Sequence, residues 1–303
     1  MQLEKKLDNS YKKNKWCESK MTAEIIYGKE IAGRIKKSVV EDVKIFSDTT
    51  GISPKICTIM VGDDKPSKMY MNLRKKACDL VGIDTEQINI SSKITEKEFL
   101  DIIKEKNQKK TIQGILIQLP LPDHISKTKV FETLNPCKDV EGLTPYNMGK
   151  TLMGDEYLVP CTPLAVIKIL EDIHYNVKGK HVVIINHSTI VGKPLTALFL
   201  QRNATVSICH VFTKDIVSFT KQADIIVTAA GIPGLITDQH VKKGAIVIDV
   251  SIVKTDTGIT GDVDLEKVKE ICSYITPVPG GVGPVTIACA LENMVKTMNI
   301  SSK

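Results

Sequence analysis

The chain has 303 residues, of which 42% are hydrophobic and 25% charged, the proportions of an ordinary globular protein and too apolar for a disordered one. No uncharged apolar stretch approaches the roughly 18–20 residues needed to cross a bilayer, so no membrane-spanning protein is expected, and at roughly 100–200 residues per domain the length suits two domains. The 41 basic and 35 acidic residues leave a net charge of +6, with Lys5, Lys6, Lys12, Lys13, Lys15 and Lys20 all in the first twenty residues, and the mildly basic remainder suits an anionic small molecule better than nucleic acid.

Residues 1–20 lack the apolar stretch of an export signal. They contain no Arg and carry Glu4, Asp8 and Glu18, which disfavours a mitochondrial presequence, so they read as a polar, mobile extension. Helix and strand patterns then alternate. Ile31, Ile35, Val39, Val43 and Phe46 recur at three- and four-residue steps and predict an amphipathic helix over Gly28–Phe46. Lys55–Val61 predicts a buried strand, Pro66–Val81 a helix and Ile83–Ile90 a further strand. Thr95 and Glu98 form a capping-box pattern that starts another helix. Gly114–Gln118 is a short buried strand running into Leu119-Pro120-Leu121-Pro122, where the prolines end regular pairing.

A second alternation begins after Pro160-Cys161-Thr162-Pro163. Helices are predicted over Leu164–Ile173, Val191–Arg202, Asp215–Lys221 and Leu265–Ile271, and strands over His181–Asn186, Ala204–Cys209, Asp224–Ala229 and Ala245–Val250. A last helix spans Val285–Met298. Strands separated by helices imply parallel sheets covered on both faces. The fold class is therefore α/β, with two domains and a ligand-binding cleft between them.

The eight cysteines are scattered, form no C-x-x-C and make no zinc-spaced cluster with His, so they read as reduced cytosolic thiols and no metal is expected. Asn186-His187-Ser188-Thr189-Ile190-Val191-Gly192 joins a strand to a helix, the place where a dinucleotide fold holds pyrophosphate. Without G-x-G-x-x-G a plain turn accounts for it equally well. The next strand ends without Asp or Glu, which favours NADP over NAD. Strand ends at Ala229-Ala230-Gly231 and Asp249-Val250-Ser251 face the same crevice. Tyr70 and Arg74 share a helix face and suit a substrate clamp, although a solvated basic face has the same spacing. Gln118 ends a parallel strand, and Lys138-Asp139-Val140-Glu141-Gly142 is a turn with two acids. The run Thr276–Thr286, with three glycines and three prolines, reads as a ligand-shaping loop.

Taken together, the Ser67/Tyr70 helix, Gln118–Pro122 and the Pro277–Pro284 run resemble, in order and spacing, the methylenetetrahydrofolate dehydrogenase / methenyltetrahydrofolate cyclohydrolase family, over about Ala23 to Met298. The resemblance implies a folate-binding catalytic domain over 21–160 plus 283–303 and a Rossmann-like NAD(P)-binding domain over 161–282. It implies a cytoplasmic homodimer, a folate substrate, NADP (with NAD as the possible substitute), no metal, no nucleic acid and no membrane. Tyr70 would stack on the folate, Gln118 would hold the catalytic cation, and Pro279 and Gly280 would shape the folate pocket. Asn186, His187, Ser188, Ile190, Gly192, Ile252 and Thr286 would lie at the cofactor. Four positions depart from the family pattern: Arg74 replaces its catalytic Lys, Glu141 its pterin-binding Asp, His187 an Arg of the cofactor turn, and Val211 a Ser near the 2′-phosphate. The expectation is therefore a 5,10-methylenetetrahydrofolate dehydrogenase whose cyclohydrolase is weak or lost, with weakened discrimination against NAD. The alternatives are a fully bifunctional enzyme and a non-catalytic folate- or nucleotide-binding regulator.

Overall fold

The computed structural model describes residues 22–256 and 258–301; the expected extension over 1–20 lies outside them. The chain runs β1 (Glu24–Ile25), α1 (Gly28–Thr50), β2 (Lys55–Val61), α2 (Lys65–Val81), β3 (Asp84–Ile90), α3 (Glu96–Gln108), β4 (Gly114–Gln118), α4 (Lys127–Thr133), α5 (Pro145–Met153) and α6 (Cys161–Asp172). It continues through β5 (His181–Ile185), α7 (Gly192–Gln201), β6 (Thr205–Cys209), α8 (Val217–Thr220), β7 (Ile225–Thr228) and β8 (Ile246–Asp249). A hairpin of β9 (Val253–Thr255) and β10 (Gly258–Thr260) follows, then α9 (Leu265–Val268), β11 (Tyr274–Ile275) and α10 (Val282–Ser301).

Two parallel sheets result. One has the order β3-β2-β4; the other has six strands in the order β1-β11-β8-β7-β5-β6. In the larger sheet β6 pairs on one side of β5 and β7 on the other. The strand order therefore reverses at β5, and ligands of open α/β sheets bind outside the carboxyl ends at such a reversal. A continuous apolar core runs from Ile31 and Val39 of α1 through Ala165 and Ile169 of α6 and Leu291 and Met294 of α10 to Val182, Val227 and Ile248 of the larger sheet. This shared core fixes one sheet against the other.

The predicted elements differ from the observed ones mainly at their ends. Helix α1 extends past Phe46 through polar Ser47–Thr50 and stops at Gly51, which takes the left-handed conformation at φ 69°. Helices α6 and α10 start three residues earlier than apolar periodicity suggests, because Pro163 and Pro284 lie in first turns, where no amide donor is required. The sequence reading passed over α4 and α5, each started by a hydroxyl cap from Ser126 or Thr144 but carrying few buried residues. It also passed over the hairpin and the two-residue strands β1 and β11, which are too short for a period-2 pattern.

Candidate active site

Between the sheets lies a cavity of about 430 Å³. Tyr70, Arg74, Gln118 and Glu141 line it, together with Ile190, Ile252 and Thr286. Helix α2 supplies Tyr70 and Arg74. Its start is fixed by Asp64, whose carboxylate accepts from the Ser67 N–H at 2.9 Å and the Ser67 hydroxyl at 2.6 Å. Arg74 falls on the face occupied by Met71, Ala77, Cys78 and Val81, and is only 3% exposed. Lys75 and Lys76 are exposed, so the solvated basic face of the helix does not include Arg74.

Glu141 is placed by a buried turn. Asp139 Oδ2 accepts from Thr144 N–H at 2.7 Å and from Asn147 Nδ2 at 2.9 Å. Asn293 of α10 donates to the carbonyls of Val140 at 3.0 Å and Val159 at 2.8 Å. Gly142, at φ +69°, packs so closely on the Leu158–Pro160 backbone that a Cβ would sit 2.6–2.8 Å from it. These contacts bring Glu141 Oε1 to 3.5 Å from Arg74 Nη2. The Arg74 guanidinium also lies 4.7 Å from the Tyr70 ring centroid, a cation–π arrangement.

Several polar atoms at the cavity lack hydrogen-bond partners among the described residues. Arg74 Nε and Nη1 and Gln118 Oε1 are buried without a hydrogen-bond partner among the described residues. Each such group forfeits about 1–3 kcal/mol of desolvation. Burial pushes the Glu141 carboxyl up, Arg74 opposes that shift, and nearby Asp139 adds to it. Burial likewise pushes the Tyr70 phenol up to about 12, so it remains a neutral hydroxyl.

The loop after β5 is organised differently. Asn186 Oδ1 accepts from the N–H groups of Ser188 (2.8 Å) and Gly192 (3.0 Å) and from the Ser188 hydroxyl (2.7 Å), while Asn186 Nδ2 donates to Ala229 O at 2.7 Å. A Cβ on Gly192 would overlap the Asn186 carbonyl. Asn186, Ser188 and Gly192 thus shape the turn that carries Ile190 and Val191 to the cavity, and do not themselves line it. Exposed His187 sits outside the lining, its ring 4.8 Å from that of His210. Pro279 and Gly280 also lie outside it: Pro279 is exposed, and the Gly280 carbonyl accepts from Gly28 N–H at 2.9 Å.

Asp249 closes a strand end already placed at the crevice, but sequence reasoning gave its carboxylate no role and missed Asp262, and both are buried behind the far wall. Their signal was an acid closing an apolar strand, Ile246–Asp249, and a second one after Gly261. Burial pushes the Asp249 carboxyl up to about 7 against the N–H donors of Val263 and Ser251. The small residues Ala229, Ala230, Gly231 and Ser251 form part of that wall.

Two family models match this chain: the tetrahydrofolate dehydrogenase/cyclohydrolase catalytic domain over residues 26–141, and the NAD(P)-binding domain of the same family over residues 160–302. The chain belongs to the tetrahydrofolate dehydrogenase/cyclohydrolase family. It is 48% identical over 271 residues to the bifunctional protein FolD of Methanosarcina mazei, covering 89% of this chain and 94% of that one. The bifunctional FolD structure from Campylobacter jejuni superposes with a TM-score of 0.89 at 42% identity, covering 92% and 99% of the two chains. The Trypanosoma brucei methylenetetrahydrofolate dehydrogenase-cyclohydrolase, solved with NADP and an inhibitor, gives a TM-score of 0.89 at 33% identity, covering 93% of this chain and 99% of that one. The protein is therefore an α/β enzyme of this family with an NAD(P)-binding domain built on the larger sheet. These relatives favour the fully bifunctional reading over the expectation of a weak or missing cyclohydrolase. No helix among the described residues is long and apolar enough to cross a membrane.

Proposed function

We propose that the protein oxidises 5,10-methylenetetrahydrofolate to 5,10-methenyltetrahydrofolate with NADP and hydrolyses the product to 10-formyltetrahydrofolate in the same cavity. The observation that carries this reading is the meeting of Tyr70, Arg74, Gln118 and Glu141 with the strand ends of the larger sheet around one space. Residues 21–160 plus 283–303 form the folate-binding part, and 161–282 the dinucleotide-binding part.

A dinucleotide held against Ile190, Ile252 and Thr286 would supply the hydride acceptor. The protein's task in that step is positioning. The Tyr70 ring supports the pterin, Gln118 Oε1 and the open Arg74 nitrogens fix its polar edge, and Ile190, Ile252 and Thr286 hold the second ring against it. The nitrogens on either side of the reacting carbon stabilise the methenyl cation.

Hydrolysis requires a proton acceptor. Water attacks the methenyl carbon, the bond from that carbon to N5 breaks, N5 keeps one of the water's protons, and the other is released. Arg74 stays cationic and stabilises the attacking oxygen. Glu141 is the titratable group beside it, and its raised carboxyl receives the proton. A substitution of Arg for Lys therefore leaves the reaction with a base.

A homodimer is part of this proposal. Met69, Leu73 and Leu80 are exposed along one stripe of α2, beside the sheet-edge strand β3. Sedimentation of the wild type and of Leu73→Glu tests it. The functional test is a two-stage assay: NADPH formation from 5,10-methylenetetrahydrofolate, then loss of methenyl absorbance after the dinucleotide is removed. Absence of the first signal with both NADP and NAD overturns the reading, and absence of the second alone restores the expectation of a dehydrogenase without hydrolase.

A further inference from the structure

We infer that Asp262 is a positioning residue for the nicotinamide end of the dinucleotide, acting through the backbone that forms the far wall of the cavity. The inference rests on the function proposed above. Asp262 is fully buried and does not line the cavity. Its Oδ2 accepts from the Thr228 hydroxyl at 2.6 Å and from Ala230 N–H at 2.7 Å, and its Oδ1 accepts from Ile232 N–H at 2.7 Å. The amide between them, Gly231 N–H, donates to the Ser251 hydroxyl at 3.0 Å. Three successive amides are thus bound by side chains, the outer two by Asp262 behind the wall and the middle one by Ser251 within it. Hydrogen bonds to an ionised acceptor are roughly twice as strong as neutral ones, so the carboxylate fixes this backbone more firmly than a neutral group would.

The second wall strand is tied into the same brace. Asp249, at the end of β8, accepts from Ser251 N–H at 3.0 Å and from Val263 N–H at 2.8 Å. Asp262 is itself held by its neighbour segment: Ile236 N–H donates to the Asp262 carbonyl at 3.0 Å, and Asp264 N–H to the Ile236 carbonyl at 2.9 Å. The segment 261–263 therefore locks Ala230-Gly231 and Val250-Ser251 together. These residues share the cavity with Tyr70, Arg74 and Gln118, whereas His187 and His210 lie outside it. The braced wall consequently meets the reacting end of the dinucleotide, not its adenosine end.

Asp262→Asn tests this. An amide offers one acceptor oxygen, and its NH₂ meets N–H or O–H donors on the other side. We expect kcat/KM for NADP to fall about 100-fold through loss of charge-assisted hydrogen bonds. The inhibition constant of 2′,5′-ADP, which carries only the adenosine end, and dinucleotide-free methenyl hydrolysis should both stay within about twofold, since neither depends on that wall. Equal losses of all three would show a merely structural role and overturn the inference, as would unchanged NADP kinetics. Thr228→Val removes one bond to the same carboxylate without changing shape. It should give the same split at about three- to tenfold, and keeps the question answerable if Asp262→Asn does not fold. An unaltered chain without dehydrogenase activity would instead count against the proposed function.

Discussion

The two walls of the cavity are built on opposite principles. On the folate side, polar atoms are left open: Arg74 Nε and Nη1 and Gln118 Oε1 are buried without partners among the described residues. On the dinucleotide side, polar groups are satisfied internally, with Asn186, Asp249 and Asp262 binding the amides of the loops they support. The folate wall carries desolvation cost that a ligand relieves. The dinucleotide wall is complete without one and offers shape. Substitutions should therefore separate activity from stability on the first wall and couple them on the second.

The largest effect is expected at Arg74. Arg74→Met removes the only cation that meets Glu141 in an ion pair among the described residues, and methenyl hydrolysis should fall about 100- to 1000-fold, the loss typical of a deleted transition-state stabiliser. Stability should change little, because the substitution removes two unpartnered buried nitrogens together with the 3.5 Å contact to Glu141, and the Glu141 carboxyl, already pushed up by burial, is left to take a proton. An unfolding free energy that drops by several kcal/mol alongside activity would erase the contrast between the walls. Arg74→Lys, by comparison, should retain hydrolysis, since the ammonium still faces Glu141.

Glu141→Gln comes next, with hydrolysis reduced about 100-fold and NADPH formation changed much less, as befits removal of a proton acceptor. The sign of the pH dependence follows from burial. The carboxyl is pushed up, so the ionised base is lost as pH falls through a value above the usual glutamate range. Hydrolysis by the wild type should thus rise with pH across that window while hydride transfer stays level. Parallel profiles for the two steps would remove Glu141 from the proton path.

Gly192→Ala probes the other wall. Its Cβ would overlap the Asn186 carbonyl, and relief requires the turn to shift. Overpacking of this kind costs about 1–3 kcal/mol. KM for NADP should rise about tenfold with it, while dinucleotide-free hydrolysis persists. Calorimetry and the two-stage assay on one preparation read both quantities.

The same contrast governs what the sequence disclosed. Strands β2 and β4 are legible to the residue, because Lys55–Val61 and Gly114–Gln118 are buried apolar runs bounded by turn residues. Tyr70 and Arg74 are legible as a pair because helical spacing is local. The match of Arg74 to Glu141 is not, since the two are 67 positions apart and meet only through the packing of α2 against the turn that α10 pins. Asn186 and Gly192 are legible as parts of the junction that joins β5 to α7. Their work proves to be mutual, an acceptor oxygen and a missing Cβ that fit each other. Asp262 was invisible, because its partners come from a strand end more than thirty residues earlier.

The smallest effect is expected at the rim, where His187 and His210 lie side by side at the ends of β5 and β6. In dinucleotide folds the carboxyl end of the second strand faces the ribose that carries the 2′ substituent, and an acid there selects NAD. Here that strand ends in Cys209, followed by His210, so no carboxylate repels a phosphate. NADP should be preferred, but modestly. An imidazole presents at most two N–H donors, whereas a guanidinium presents five in a fork that matches phosphate. His187 is also exposed, so solvent and salt screen its contact. His187→Arg should therefore raise the ratio of kcat/KM for NADP over NAD by roughly five- to tenfold, about the worth of one charge-assisted bond at an exposed site. The gain should shrink at high salt, and kcat with saturating NADP should not move. His187→Ala should bring the two cofactors closer together. If both variants keep the wild-type ratio, the 2′-phosphate is read elsewhere on this wall, and the rim, like the braced loops behind it, contributes shape alone.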